Sequence, residues 1–338
     1  MPAANEQGIA KLYIEPSSRC NLNCTMCFRN EWIDEPQGLM ADETFDRLFA
    51  AIRRDPPELA VFGGMGEPML HPRLSEWVSR LHGIGCRTEL ITNGTLLTPD
   101  RSDQLLRAGL DRAWISMEGF CRQTYDRTRK GGVFDALIAN IEGYNLARER
   151  LGRGELGITF VMLLENMPEL NRFNAFADRY RVDAINVSHA LPIAPVKREE
   201  VIFWDGYPTG TMRRWHTDFT PRKADYCRFV AEANCFVRWD GEVAPCMQLL
   251  HECHTWRYEE RRRIRRPRLG NVNELDLYEI WRSPAYAAFR ERVIAFDFPT
   301  CTLCDGCDDR LSNETDCDFN PFPTCGACLW AQGIAYCP

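Results

Sequence analysis

Residues 18–30 read SRCNLNCTMCFRN and place Cys20, Cys24 and Cys27 within eight positions, with three residues and then two between them. Structural zinc sites and electron-transfer clusters take four protein ligands. Three thiols leave one coordination position open, and an open position on a metal centre is where chemistry takes place. A zinc half-site is the competing reading. The loop directly follows the apolar run KLYIE (11–15), at the strand end where parallel α/β folds gather their active sites.

Working outward, apolar and β-branched runs predict five more strands: LAVFGG (59–64), TELITNG (88–94), AWISMEG (113–119), GITFVMLL (157–164) and DAINVSHA (183–190). Amphipathic segments separate them. In 41–54, Phe45, Leu48, Phe49 and Ile52 share one helical face, and in 132–150 so do Phe134, Leu137, Ile138 and Ile141. Turn signals at Asn93-Gly94 and Pro99-Asp100 punctuate the series. The fold class is α/β with a parallel sheet, either a partial barrel or a doubly wound open sheet. The expected divisions are a tail (1–10), the strand–helix region (11–192), an irregular bridge (193–225) and a cysteine-rich region (226–338). The last holds a β-hairpin, CFVRWDGEVAPC (235–246), turning at Asp240-Gly241. One helix is expected over 276–293, followed by a tail that is mostly loop.

At 338 residues and 45% hydrophobic, the chain suits a globular protein. No apolar run approaches the roughly 18–20 residues that span a bilayer, and the first residues lack a secretory layout, so a cytoplasmic protein with no membrane is expected. A net charge of -7 argues against a nucleic-acid binder. The basic run RYEERRRIRRPR (257–268) reads as a solvated insertion or as a docking surface for an acidic partner. Of 16 cysteines, eleven lie from Cys227 onward. With no export signal, metal ligation explains them better than disulfides. Cys86 and Cys121 read as small buried residues. Cys253 is not expected to be a ligand, a thiol–imidazole pair with His251 or His254 being its minor reading. His189 reads as a structural histidine at the sixth strand's end, with substrate binding as the alternative.

The Cys20-x3-Cys24-x2-Cys27 loop resembles that of the radical S-adenosylmethionine superfamily, and further segments fall in the family's order. FGGMGEPMLHP (62–72) is similar to its glycine–glutamate motif, and ITNGT (91–95) and WISMEG (114–119) are similar to later segments. The resemblance covers residues 11 to about 190 and implies a partial (β/α)6 TIM-like barrel. It implies a [4Fe–4S] cluster on Cys20, Cys24 and Cys27, with S-adenosylmethionine on the fourth iron. Implied contacts to that cofactor are Met26, Gly64, Gly66, Glu67, Pro68, Asn93, Ser116, Glu118 and Asn166. Glu118 stands where the family more often has aspartate. The implied reaction is reductive cleavage of S-adenosylmethionine to methionine and a 5′-deoxyadenosyl radical, which takes a hydrogen atom from substrate. Ferredoxin or flavodoxin is the implied kind of reductant.

Cys235…Gly241-x4-Cys246 and GNV…L..IW (270–281) resemble the SPASM or twitch extension. That resemblance implies one or two auxiliary [4Fe–4S] clusters, two being expected, drawn from Cys227, Cys235, Cys246, Cys301, Cys304, Cys307, Cys317, Cys325, Cys328 and Cys337. The spacing after Cys304 departs from the usual run, which leaves the assignment open. A structural zinc site is the alternative. CTMCFRNEWIDE (24–35) and FPTCGACLWAQGIAYCP (322–338) resemble radical maturases associated with tungsten-dependent aldehyde oxidoreductases. The implied substrate is the tungsten-pterin cofactor, the oxidoreductase polypeptide or a small peptide. A peptide-modifying enzyme and a multi-cluster electron carrier are the competing functions. The three-cysteine loop argues against a pure carrier, whose clusters would each take four protein ligands.

Overall fold

The computed structural model describes residues 8–163, 165–190, 192–195, 210–213, 216–218, 225–257, 259–299, 301, 307–319 and 325–333. Six parallel strands form where the apolar runs lie: β1 (Lys11–Ile14), β2 (Leu59–Phe62), β3 (Arg87–Thr92), β4 (Arg112–Ser116), β5 (Glu155–Met162) and β6 (Ala184–His189). They sit side by side in chain order. A doubly wound sheet must reverse that order at a switch point. No reversal occurs, so the open-sheet alternative falls away. Tyr13, Val61, Ile91, Trp114, Thr159 and Asn186, one from each strand, wall a single cavity of about 800 Å3, the lumen of a partial barrel.

Outside lie α1 (Asp42–Ile52), α2 (Leu74–Gly83), α3 (Pro99–Ala108), α4 (Arg122–Thr128), α5 (Phe134–Leu151) and α6 (Phe173–Tyr180). In α1 the expected face turns inward. Phe45, Leu48 and Ile52 are fully buried, each contributing roughly 1.5–3 kcal/mol. The Phe45 ring stacks on Trp77 of α2 at 4.2 Å. Thr98 caps α3 through the Arg101 N–H, with Pro99 in the first turn. Gly109 at φ +111° then reverses the chain toward β4.

The sheet continues at both edges. β7 (Gly210–Arg213) and β8 (His216–Asp218) add antiparallel beside β6, so the described part of the bridge expected to be irregular holds two short strands. After α7 (Arg228–Ala231), β9 (Asn234–Val237) and β10 (Val243–Ala244) form the expected hairpin, with Gly241 at φ +90° in its turn. The hairpin does not stand apart. β9 pairs in parallel with β1, Leu12 opposite Cys235, giving one ten-stranded sheet. β11 (Cys253–Arg257) and β12 (Glu260–Ile264) make a second hairpin.

The helix expected over 276–293 is two, α8 (Leu277–Trp281) and α9 (Pro284–Ala295). Ser283 accepts the Tyr286 N–H and Pro284 follows it, a start signal that ends one helix and opens another. Among the described residues no helix is long and apolar enough to cross a membrane.

Candidate active site

The loop leaving β1 carries Cys20, Cys24, Met26 and Cys27 to the wall of the lumen. Its backbone is pinned at two points near α4: Asn23 donates to the Lys130 carbonyl (2.9 Å) and Thr25 to that of Thr128 (3.0 Å). Burial pushes the Cys24 thiol up to about 11 against the pull of Arg129, and burial likewise raises Cys27. Such thiols stay protonated until a metal displaces the proton, which ligation does readily. Among the described residues no three His, Cys, Asp or Glu side chains converge closely enough to grip a bare ion. A cube takes one thiolate at each iron corner, and three thiols on one short loop are the donor set for a cluster with one open iron.

Gly64, Gly66, Glu67, Asn93, Ser116 and Glu118 also line the lumen, but several are already engaged. Glu67 is buried and accepts from Thr92 Oγ1 (2.7 Å), Asn93 N (2.8 Å) and Met69 N (3.0 Å). Burial raises its pKa against those bonds. It braces the turns after β2 and β3. A Cβ on Gly66 would lie 2.2 Å from the Ser17 carbonyl oxygen, so this glycine is required by the root of the cysteine loop. Asn93 donates toward Cys20 Sγ (3.7 Å) and to Asn21 Oδ1 (2.9 Å). Ser116 accepts from Thr159 Oγ1 at 2.9 Å.

Pro68 and Asn166 are not among the residues lining the cavity. Pro68 opens a short 3-10 helix. Asn166 is fully buried, accepting from Leu163 N (2.7 Å) and donating to the Val161 (3.0 Å) and Glu118 (3.2 Å) carbonyls. Its amide ties the end of β5 to the segment after β4, which uses the side chain expected to face the cofactor.

Sequence reading missed Arg129. It is buried on the lumen wall, its guanidinium forked onto the Glu118 carboxylate (Nη2 at 2.7 Å) and its Nη1 3.6 Å from Cys24 Sγ. Burial is the strongest single influence and disfavours its charge, yet Glu118, Cys24 and Tyr125 together outweigh it and raise the pKa. The available signal was Glu118 itself, since a carboxylate sealed in a barrel needs a counter-charge.

A second buried network joins the cysteine loop to the C-terminal region. Glu35, its side chain 2% exposed, meets Arg238 Nη1 at 2.9 Å, Arg266 Nε at 3.2 Å and His251 Nδ1 at 3.1 Å. Burial works to raise the Glu35 pKa, but His251, the Glu252 N–H and Arg238 pull it down to about 2. His251 Nε2 contacts both Glu15 oxygens, at 2.9 and 3.0 Å. His251 therefore faces two carboxylates, away from any thiol pairing with Cys253.

Much of the basic run is paired within the protein, although Arg261 and Arg268 are exposed. Arg261 pairs with Glu31 at 2.9 Å, Arg262 donates to the Arg310 and Ser312 carbonyls, and Arg265 meets Glu252 at 3.2 Å. These contacts join the segment after the cysteine loop and part of the tail to β11–β12, while the exposed arginines fit the solvated reading.

Cys227, Cys246, Cys325 and Cys328 form a second thiol group. Their charges act on one another, and burial first, then these neighbours, raises Cys246 and Cys325 well above the ordinary thiol range. Cys227, Cys246 and Cys328 pack with Phe229, Phe236 and Trp330, and Cys328 Sγ donates to Gln248 Oε1 at 3.1 Å. Met247 and Trp330 belong to the same packed cluster and also line the lumen. Four thiols make a complete donor set for a cube.

Cys235, expected among these ligands, is not in the group. Strand alternation turns Phe236 toward it and Cys235 the other way, onto the Tyr286 side chain, and burial raises the thiol to about 12. Cys301 and Cys307 are half-buried and Cys317 exposed, while Cys304 and Cys337 lie outside the described residues. Cys86 donates to the Arg87 carbonyl, and Cys121 lies within reach of Thr124 and Glu169. His189 is buried against the lumen.

Residues 14–173 match the model of the Radical SAM superfamily, and residues 227–308 that of SPASM, an iron-sulfur cluster-binding domain. A tungsten-containing aldehyde ferredoxin oxidoreductase cofactor-modifying protein of Pyrococcus furiosus is 31% identical, over 97% of this chain and 96% of that protein. An AdoMet-dependent heme synthase of Oleidesulfovibrio alaskensis is 23% identical over 91% and 86%. The solved structure of native anSMEcpe with bound AdoMet superposes with a TM-score of 0.61 at 18% identity, covering 96% of this chain and 95% of that one, a likeness of fold. The two matched domains imply [4Fe–4S] clusters and S-adenosylmethionine binding. The chain belongs to the radical SAM superfamily, with a SPASM domain behind its barrel.

Proposed function

We propose that this protein is a radical S-adenosylmethionine maturase acting on a tungsten-dependent aldehyde oxidoreductase or its cofactor. The carrying observation is the end-to-end likeness to the Pyrococcus furiosus cofactor-modifying protein, in a chain whose three-thiol loop opens on a large lumen. Cys20, Cys24 and Cys27 would hold the first cluster, which with S-adenosylmethionine supplies a 5′-deoxyadenosyl radical. Glu67 keeps the turns after β2 and β3 in place for the cofactor. Arg129 keeps a fixed positive charge beside Cys24. Barrel walls and the Met247–Trp330 side exclude bulk water from a reactive centre.

Cys227, Cys246, Cys325 and Cys328 would hold one auxiliary cluster. With four protein thiolates it has no open iron, which suits electron transfer across Trp330 and Met247 better than direct substrate ligation. We assign a second auxiliary cluster to the remaining tail cysteines, Cys301, Cys304, Cys307, Cys317 and Cys337, and a low-potential reductant of the ferredoxin or flavodoxin type.

The test is anaerobic. Reconstituted protein, S-adenosylmethionine and a reductant are incubated with and without a tungsten oxidoreductase expressed in the absence of the maturase. The expected result is faster 5′-deoxyadenosine formation and a mass change in the partner or its cofactor. Slow cleavage indifferent to the partner refutes the tungsten role and points to a peptide substrate. No cleavage in fully loaded protein refutes radical chemistry and restores the electron carrier.

A further inference from the structure

The His251 network does more than hold the C-terminal region to the barrel. Glu15 follows β1 and is 1% exposed, as is His251. One Glu15 oxygen accepts both from His251 Nε2 (2.9 Å) and from the backbone N–H of Met65 (3.0 Å). A Cβ on Gly64 would sit 2.6 Å from Glu15 Cγ, so the Gly64–Met65 peptide rests directly on this side chain, and both residues line the lumen. On its other face His251 Nδ1 reaches Glu35, just past the cysteine loop, and Trp32 stacks on the ring at 4.3 Å.

Both ring nitrogens face carboxylates. A neutral imidazole has one N–H and would present a lone pair to one of them, whereas an imidazolium donates to both. Arg238 and Arg266 reach the same Glu35 carboxylate, so His251 is the donor that Glu15 receives from this network.

We propose that His251, supplied by the C-terminal region, is a positioning residue for S-adenosylmethionine, acting through Glu15 to fix the Gly64–Met65 peptide at the lumen edge. This rests on the radical S-adenosylmethionine reading of the lumen. The two carboxylates favour the protonated ring. Burial opposes the charge, but Glu15 and Glu35 outweigh it and raise the pKa, so the positioning is present below the ordinary histidine range and is lost as pH rises through the raised value.

The experiment titrates S-adenosylmethionine into cluster-loaded, reduced protein and follows the change in the cluster's electron paramagnetic resonance signal. Wild type, His251→Gln, Glu15→Gln and the double variant are compared from neutral to alkaline pH, with iron content measured for each. His251→Gln is expected to bind about tenfold more weakly at neutral pH, in line with a buried acceptor losing a charged donor. It should also lose the weakening that is expected of wild type as pH rises through the raised value. Because His251 acts through Glu15, the double variant should bind no more weakly than the weaker single one.

Affinity within twofold of wild type in His251→Gln, or single effects that multiply in the double variant, overturns the proposal. Should His251→Gln fail to load iron, Glu15→Gln decides: affinity within twofold of wild type overturns the proposal, and about tenfold weakening supports it. A wild-type signal that does not respond to S-adenosylmethionine overturns the functional reading itself, whereas a normal wild-type response with an unchanged variant removes only the role of His251.

Discussion

Replacing Gly66 with alanine tests whether the strand-edge glycine serves the cysteine loop. The new Cβ would lie 2.2 Å from the Ser17 carbonyl oxygen, 2.6 Å from the Ser18 carbonyl carbon and 2.6 Å from the Arg19 carbonyl oxygen. All three atoms are backbone, and the Glu67 N–H already holds the Arg19 carbonyl at 2.8 Å, so neither side can rotate away. Reaching even the 3.0 Å that real Cβ contacts respect requires a shift of about 0.8 Å immediately before Cys20. Metal–ligand distances tolerate about 0.2 Å.

The expected cost is about 1–3 kcal/mol of folding stability, as for other overpacked sites. More telling is a loss of about four irons per chain, one cube, while the auxiliary sites keep theirs. Iron and sulfide are quantified after anaerobic reconstitution, with unfolding midpoints in denaturant. Gly63→Ala is the control, because its Cβ would meet Ile91 at 3.4 Å, an ordinary contact. Full iron loading in Gly66→Ala would falsify the steric argument.

Arg129→Met leaves the fully buried Glu118 carboxylate without its partner, and unfolding curves should show a loss of about 3–5 kcal/mol. The Glu118→Gln/Arg129→Met double variant should recover more than half, and additive losses would contradict the pairing. Cys246→Ala should cost about four irons, whereas Cys235→Ala should load as wild type does; iron loss in the latter would return Cys235 to the ligands. The Glu35 partners pull its pKa to about 2, so their stabilisation is complete above the ordinary glutamate range and fades as pH falls toward that value. The stability gap between wild type and Glu35→Gln should therefore narrow on acidification, and a gap that widens refutes the assignment.

The six barrel strands and the helices between them were legible because period-2 and period-3.6 patterns are local. Phe45, Leu48 and Ile52 are buried in α1 as their spacing required. The hairpin at Asp240-Gly241 was legible for the same reason, since a turn residue at φ +90° is a local demand. The break between α8 and α9 was also local, in Ser283-Pro284, and was passed over in favour of a continuous apolar pattern. Arg129 left no mark in its own neighbourhood. Its place is set by a carboxylate eleven residues earlier and a thiol on the loop after β1.

The amino-acid sequence alone determined the parallel α/β region, the three-thiol loop at the end of its first strand and the family those residues resemble. These depend on the order and spacing of neighbouring residues. The strand pattern left barrel and open sheet undecided, and only the resemblance pointed to the barrel. The tertiary structure settled it, because strand order is a property of the whole sheet. It also decided which distant cysteines meet. Cys227, Cys246, Cys325 and Cys328 come together across about a hundred residues while Cys235, one step along β9 from Phe236, is turned away. Most of all it decided where buried charges find partners. Burial makes an unpaired charge too costly to keep, so Glu118, Glu35 and His251 acquired their meaning only once the chain had brought Arg129, Arg238 and Glu15 beside them.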